Sequence, residues 1–458
     1  MPLITRENLY FDVRPKIVPA DRTCTIEIRP LFHHCRLDDS AAYEVRYYPA
    51  EELAARSGWR DQGAKPVRPV GGVLRMEQYF EAEQEHIFFV ERVDGDRRQR
   101  VGDFRVYSVE ADLFSRRPYK GDTHIHSIRS DGKESPAYVA AACRRIGLDF
   151  MALTDHKKYA PSLEAQRAFR GVDLDLRIFA GEEVHPPESP VHIVNFGGRF
   201  SVNDLFADEA AYRQAVEKTA ERLGRLPPGV DRYHHASAVW CFEKIREGGG
   251  LGVFCHPYWF TDHRYSPPGA LTSYLFQTQP FDAYEVLGGF SYGDFDSNTL
   301  QVARYHDERA KGRRIPIVGA SDSHGCENLD RGLFGWYSTM VFSPSLALED
   351  LIGSIKDLYS VGVEAVPGDR PRPVGPVRLV KFALFLLREV FPQHDDLCVE
   401  EGRLMLAHAA ESEAAGAGGE SCPMMRVGTS APGSAAAALA RLRGRTSALL
   451  DQCWAPLV

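Results

Sequence analysis

From about Tyr119 onward, short apolar runs alternate with helical stretches, and this switch of period constrains the fold more than any other feature of the chain. Pro136 to Ile146 reads as a helix, with Pro136 in its first turn and Gly147 just past its end. A buried strand over Leu148 to Leu153 follows, then a helix over Leu163 to Arg170 and a short run at Ile178 to Ala180. Helices over Ala210 to Leu223 and Ala236 to Glu247 precede strands at Gly252 to Cys255 and Ile315 to Gly319. Such βα alternation is the pattern of an α/β barrel or a layered sheet.

The flanks have a different texture. In the first ~115 residues apolar and polar side chains alternate in short runs, with Cys24, Ile26 and Ile28 on one strand face. Similar runs at Tyr43 to Tyr48, Val73 to Phe80, His86 to Val93 and Phe104 to Val109 predict a small antiparallel sandwich. His33 and His34, adjacent on a strand, would point to opposite faces and do not make a ligand pair. After about Ser345 helices are expected over Leu346 to Leu358 and Val377 to Val390. Ala409 to Ala438, rich in Ala, Gly and Ser, reads as a mobile connection to a last helix at Arg441 to Leu450. The expected organisation is therefore a β-sandwich-like domain over residues 1–117, a barrel over 118–345 and a helical C-terminal extension over 346–458, its Ala/Gly/Ser-rich segment near 409–438.

With 458 residues, 44% hydrophobic and 26% charged, the chain has the balance of a soluble globular protein. The net charge of −8 argues against a sequence-independent grip on long nucleic acid. No run of about 18 apolar residues occurs; the nearest, Val374 to Phe391, is broken by Arg378, Lys381 and Arg388. The first residues lack the apolar core of a signal peptide, and the 9 cysteines are scattered singly without CxxC pairs. A cytoplasmic protein with reduced thiols is expected.

Chemistry is concentrated at the strand ends. In Asp122-Thr-His124-Ile-His126, residues two apart share a strand face, so Asp122, His124 and His126 point together. Asp131, in the turn Ser130-Asp131-Gly132, can fold a carboxylate back towards them. Asp155 and His156 end the strand Phe150 to Leu153, Glu183 closes another run, and His192 lies in Val191 to Phe196. His256 ends the strand before Pro257, where alternation turns Cys255 away into core packing, and Asp322 and His324 follow Ile315 to Val318. Nearly every strand of one α/β region thus ends in His, Asp or Glu, where α/β barrels place catalytic groups. Imidazole and carboxylate donors without thiolate suit zinc, manganese or iron.

These motifs, in order and spacing, resemble the polymerase and histidinol phosphatase (PHP) superfamily of metal-dependent phosphoesterases over roughly Tyr119 to Phe342. Gly147 to His156 and Asp282-Ala-Tyr-Glu285 look most like its carbaryl-hydrolase-like branch. The resemblance implies a distorted seven-stranded (β/α) barrel and two to three divalent ions. One ion would be held by His124, His126, Glu183 and Asp322, and a second by Glu183, His192 and His256, with His185 close enough to compete with His192. A third would be held by Asp131, His156 and His324. The reaction implied is attack of a metal-bridging hydroxide on a small phosphorylated substrate. Asp155 would orient a ligand histidine. Arg129, Lys157, Arg264 and Arg331 are candidates for phosphate contacts, and Tyr258 and Trp259 for the pocket wall. The same cluster could instead cleave a carboxylic ester, carbamate or amide, and a non-catalytic metal-binding regulatory module is the reading from another class. Oligomeric state is not legible in the sequence.

Overall fold

The computed structural model describes residues 5–51, 63–290, 295–327, 333–416 and 434–456. Its chain divides into two compact units. The smaller comprises residues up to Arg117 together with Lys381–His394 and the stretch from Gly444; the larger comprises Pro118–Val380 and Asp395–Arg443. The residues after Ser345 therefore belong to both units.

In the smaller unit the alternation at the N-terminus produces two sheets. One is antiparallel: Phe11–Arg14, Arg22–Pro30 and Leu74–Phe80 pair in that order. The other has five strands, in which Glu85–Asp94 pairs antiparallel with both Ala42–Pro49 and Arg97–Val109. The short strand Ile17–Pro19 breaks the expected antiparallel pattern by joining Arg97–Val109 in parallel. Rings from the two sheets meet, Phe11 on Phe104 at 5.2 Å and Tyr47 on Phe80 at 6.2 Å between centroids. Helix Val377–Glu389 adds Phe382 and Phe385 against Tyr107 in the same unit.

Seven short strands of the larger unit carry the candidate site: β1 (Arg117–Asp122), β2 (Phe150–Ala152), β3 (Gly181–Val184), β4 (Ile193–Phe196), β5 (Leu251–Phe254), β6 (Ala283–Leu287) and β7 (Ile317–Gly319). They lie in two sheets. One contains β2 and β1 between Arg177–Phe179 on one side and Tyr337–Ser343, Ser360–Glu364 and Arg372–Val374 on the other; the second runs β3-β4-β5-β6-β7. The last two strands of the first sheet form an antiparallel meander where sequence reading expected only helix.

The larger unit is mixed α/β, and β2, β5 and β7 are short apolar runs buried on both faces. Val194, Val253, Ala283 and Val318 enter one core cluster, while Ile193, Phe254, Tyr284 and Ile317, one step away on each strand, enter another. The βα alternation is not wholly parallel: β3 with β4 and β4 with β5 are antiparallel. Helices sit close to where the sequence placed them. Ser135 accepts from the Tyr138 amide to start Pro136–Arg145, and Asp208 and Asp231 cap Glu209–Leu223 and Arg232–Glu247. The C-terminal helices are Leu348–Lys356, Val377–Glu389, Phe391–Gly416, Ser434–Leu442 and Arg445–Cys453. Most of the Ala/Gly/Ser-rich connection, residues 417–433, lies outside the described residues. Among the described residues no helix is long and apolar enough to cross a membrane.

Candidate metal centre

The strand ends are stitched together beyond the ladders themselves. The chain leaving β1 pairs with the chain leaving β7 through an Ile125–Ser323 bridge, in which the Asp322 amide donates to the His124 carbonyl at 2.8 Å and the His126 amide to the Ser323 carbonyl at 2.9 Å. The chain leaving β2 meets β3 through a His156–Glu183 bridge, the Lys157 amide donating to the Glu183 carbonyl at 3.0 Å. These two bridges carry the side chains of four strands to one place.

Glu183 sits at the middle, fully buried. Its Oε1 lies 3.0 Å from His192 Nδ1 and 3.4 Å from His256 Nε2. Its Oε2 lies 3.2 Å from His185 Nε2 and 3.6 and 3.7 Å from His124 and His126 Nε2, and it also meets His156 Nδ1. Asp322 Oδ1 is 2.9 Å from His126 Nε2 and 3.2 Å from His124 Nε2. Towards solvent, Asp131 Oδ2 is 3.4 Å from both His156 Nε2 and His324 Nε2. All nine metal candidates read from the sequence are thus gathered, as groups of donors that overlap through shared residues. The inner donors are buried, while the Asp131 side chain is 55% exposed, so the cluster opens on that side.

Two hydrogen bonds set ring tautomers. His324 Nδ1 approaches the Asp322 carbonyl at 2.9 Å; a carbonyl only accepts, so the proton is on Nδ1 and the Nε2 lone pair faces Asp131. His124 Nδ1 likewise donates to Glu285 Oε2 at 2.9 Å, leaving Nε2 for the cluster. Burial holds His192 and His126 down to about 4, so both are neutral near pH 7. At His124 burial also opposes the charge, but the carboxylates of Asp322 and Glu285 outweigh it and raise its pKa well above the usual value, so a cation taken up at Nε2 would displace a proton. At Glu183 burial is outweighed by the surrounding histidines, His192 and His124 first, and its pKa falls well below the usual range.

The donor set fits divalent cations. Both Glu183 carboxylate oxygens, His124 Nε2 and His192 Nδ1 are buried without a hydrogen-bond partner among the described residues. Leaving such groups unsatisfied is costly, and a coordinated cation satisfies them together. Nitrogen and carboxylate donors favour zinc, manganese or iron over calcium. His256 and Asp322 hold backbone φ of 22° and 49°, a region that non-glycine residues rarely adopt and that clusters at functional sites.

The remaining candidates are placed as follows around the cluster. Asp122, although on the histidine face, accepts from the His124 amide at 3.1 Å and from the Ser321 amide, tying β1 to β7; burial pushes its carboxyl up to about 7. Asp155 contacts the loop after His126 where sequence reading gave it a ligand histidine: it accepts from the Ser127 amide and hydroxyl at 2.9 and 2.8 Å and from the Ser130 amide and hydroxyl at 3.0 and 2.6 Å. That loop carries Asp131. Arg129 engages Glu164 in a two-bond fork at 2.8 and 2.9 Å, so its planar end is already occupied. Lys157, next to His156, and Arg264, on the hairpin strand after the turn, are exposed, and Arg331 lies outside the described residues. Tyr258 Oη accepts from Arg304 Nε at 2.8 Å, while the Trp259 ring stands 5.9 Å from that of His192.

Three neighbours escaped the sequence reading or were undervalued by it. Glu285 received no role there; besides holding His124 it accepts from the His256 amide at 3.2 Å, and a buried glutamate inside the apolar strand β6 was the available signal. His185 joins the cluster beside His156 instead of replacing His192. Cys255 packs into the core cluster with Val253 and Ala283, as alternation expects, and its sulfur also falls in one donor group with His124 and His256.

No family model matches the chain. It is 38% identical over 73 residues to the DNA polymerase/3′-5′ exonuclease PolX of Bacillus subtilis, a stretch that covers 15% of this chain and only 13% of that protein. Among solved structures it is similar to a two-domain protein from Bacteroides vulgatus containing a predicted PHP-like metal-dependent phosphoesterase, with 16% identity, a TM-score of 0.40, and 59% of this chain and 70% of that one covered. A candidate metal-dependent phosphoesterase from Bifidobacterium adolescentis matches at 21% identity and a TM-score of 0.30, over 45% of this chain and 87% of that one.

Proposed function

We propose that the chain is a metal-dependent phosphoesterase of the PHP superfamily that hydrolyses a small phosphorylated molecule. The observation that carries this reading is Glu183. One buried carboxylate, without a hydrogen-bond partner at either oxygen among the described residues, stands among six imidazoles and beside a second carboxylate, Asp322. The donor groups support three ions (zinc, manganese or iron): one on His124, His126, Glu183 and Asp322, one on Glu183, His192 and His256, and one on Asp131, His156 and His324. The barrel reading draws support from the two bridges, since following the ladders and bridges in turn passes β1, β2, β3, β4, β5, β6 and β7 and returns to β1. Within the superfamily the Asp282-to-Glu285 segment favours the carbaryl-hydrolase-like branch, and a cytoplasmic site of action accords with the scattered single cysteines.

When bound, the cations supply a nucleophile from water at neutral pH and neutralise phosphoryl charge. The protein's share is positioning. Glu285 and the Asp322 carbonyl hold His124 and His324 in the tautomers that present Nε2, and Asp155 holds the loop that brings Asp131 to the open side. Lys157, held by its backbone to Glu183 and exposed, is the candidate for a phosphoryl contact.

The test is a hydrolysis panel of phosphomonoesters, carboxylic esters, carbamates and amides with manganese or zinc, comparing the wild type with His256→Ala and measuring bound metal in both. Orthophosphate release that falls at least a hundredfold in the variant is expected. Release of a carboxylic product without orthophosphate would favour the ester or amide alternative. An equally active variant would overturn the site, and wild-type protein that holds metal but cleaves nothing in the panel would favour the regulatory-module reading.

A further inference from the structure

Immediately after His256 the chain forms a small hairpin, Trp259–Thr261 with Arg264–Ser266. Its two-residue turn, Asp262-His263, has φ of 50° and 60°, the left-handed pair of a type I′ turn, whose twist matches that of the strands and fixes their register. Directly paired residues share a side, so Phe260 and Tyr265 stand together, their rings 5.2 Å apart, and Trp259 with Ser266 stands on the other side. The base of the hairpin is tied to helix Phe295–Ala310 through Tyr258 and Arg304, and Arg304 also donates to Ser273 Oγ at 2.8 Å.

This rigid arm presents Trp259 to the donor cluster. The indole centroid lies 5.9 Å from the His192 ring and 6.2 Å from the His256 ring, yet the residue keeps 39% of its surface exposed. An indole held on a braced turn, at the rim of a polar cluster and only half covered, is a flat apolar wall next to the point where substrate must sit. Resting on the phosphoesterase reading above, we infer that Trp259 stacks against the leaving group, so that the site selects phosphomonoesters whose alcohol carries a planar aromatic ring.

Two substrates isolate the ring from reactivity and bulk: 2-phenylethyl phosphate and 2-cyclohexylethyl phosphate, whose alcohols leave equally well. Orthophosphate release by the metal-loaded full chain should give a kcat/KM ratio about three- to tenfold in favour of the phenyl ester. In Trp259→Ala the ratio should fall to near one through a higher KM for the phenyl ester, and Trp259→Phe should retain most of the preference. Because both esters are read on one preparation, incomplete folding or metal loading of a variant cancels from the ratio. A wild-type ratio of one, or a ratio unchanged in Trp259→Ala, would overturn the inference while leaving the phosphoesterase reading intact. Absence of orthophosphate from both esters overturns the inference, and the phosphoesterase reading is then decided by the wider phosphomonoester panel.

Discussion

At the residue scale the cluster depends on groups that need not touch a cation themselves. Glu285 aims His124 through a 2.9 Å hydrogen bond and also holds the backbone of His256. Glu285→Gln can still accept at one atom but no longer stabilises the ring proton with charge. Removal of such a supporting carboxylate is expected to cost about ten- to a hundredfold in metal affinity, read by titration of the metal-free protein with zinc. An unchanged affinity would remove Glu285 from the site. A separate residue prediction concerns stability. His86, in the smaller unit, lies between Tyr47 Oη and Ser108 Oγ, both at 2.7 Å, and burial lowers its pKa to about 4. The unfolded chain protonates this ring near pH 6.5, before the folded one does, so the folded state loses stability as pH falls from about 6.5 to about 4 and is unaffected by this group above that window. His86→Gln should flatten that part of the pH–stability curve relative to wild type in denaturant titrations; parallel curves would contradict it.

At the element scale, site geometry depends on how closely strand ends approach. Gly288, just after β6, has φ of 149°, and a Cβ there would lie 2.1 Å from the Ala320 carbonyl oxygen beyond β7. Since the obstacle is backbone, Gly288→Ala should cost about 3 kcal/mol from overpacking and strain together. The cost would appear as a lower denaturation midpoint, with weakened metal binding because Ala320 leads directly into Asp322. A variant as stable as wild type would mean that the two ends are free to separate. The elements also show where sequence reading succeeds. Helices announced themselves through residues such as Pro136 and Gly147 at their ends, and β2, β5 and β7 through apolar runs. Ser360–Glu364 and Arg372–Val374 did not, because their place in a sheet is decided by pairing with the distant strand Tyr337–Ser343 and not by a local period.

On the scale of the whole molecule, a cation that binds only the assembled cluster must stabilise the larger unit, since its donors come from segments between His124 and His324 that the unfolded chain holds far apart. At a hundredfold excess over its dissociation constant one ion adds about 2.7 kcal/mol. Manganese or zinc should therefore raise the melting transition by several degrees and a chelator should reverse the rise; melting curves that ignore both would argue against a metal centre. The same scale explains the fate of the C-terminal residues. Their helical character was legible from periodicity, but their division between two units was not. Phe382 packs on Tyr107, whereas Glu401 Oε2 pairs at 2.6 Å with the buried Arg144, and both choices depend on partners hundreds of residues away.

By itself the sequence determined the α/β texture of the larger unit, the alternating strands of the smaller one and the set of candidate donor residues, because side-chain periodicity and residue chemistry are local properties. Only the tertiary structure decided which donors share a group, that Glu183 stands at their centre, that Asp155 holds a loop, and that Glu285 and Cys255 stand beside the histidines. Those outcomes arise where strands end and leave regular geometry, at the positive φ of His256 and Asp322 and at the bridges joining one strand end to another, and no periodic rule extends past the last residue of a strand.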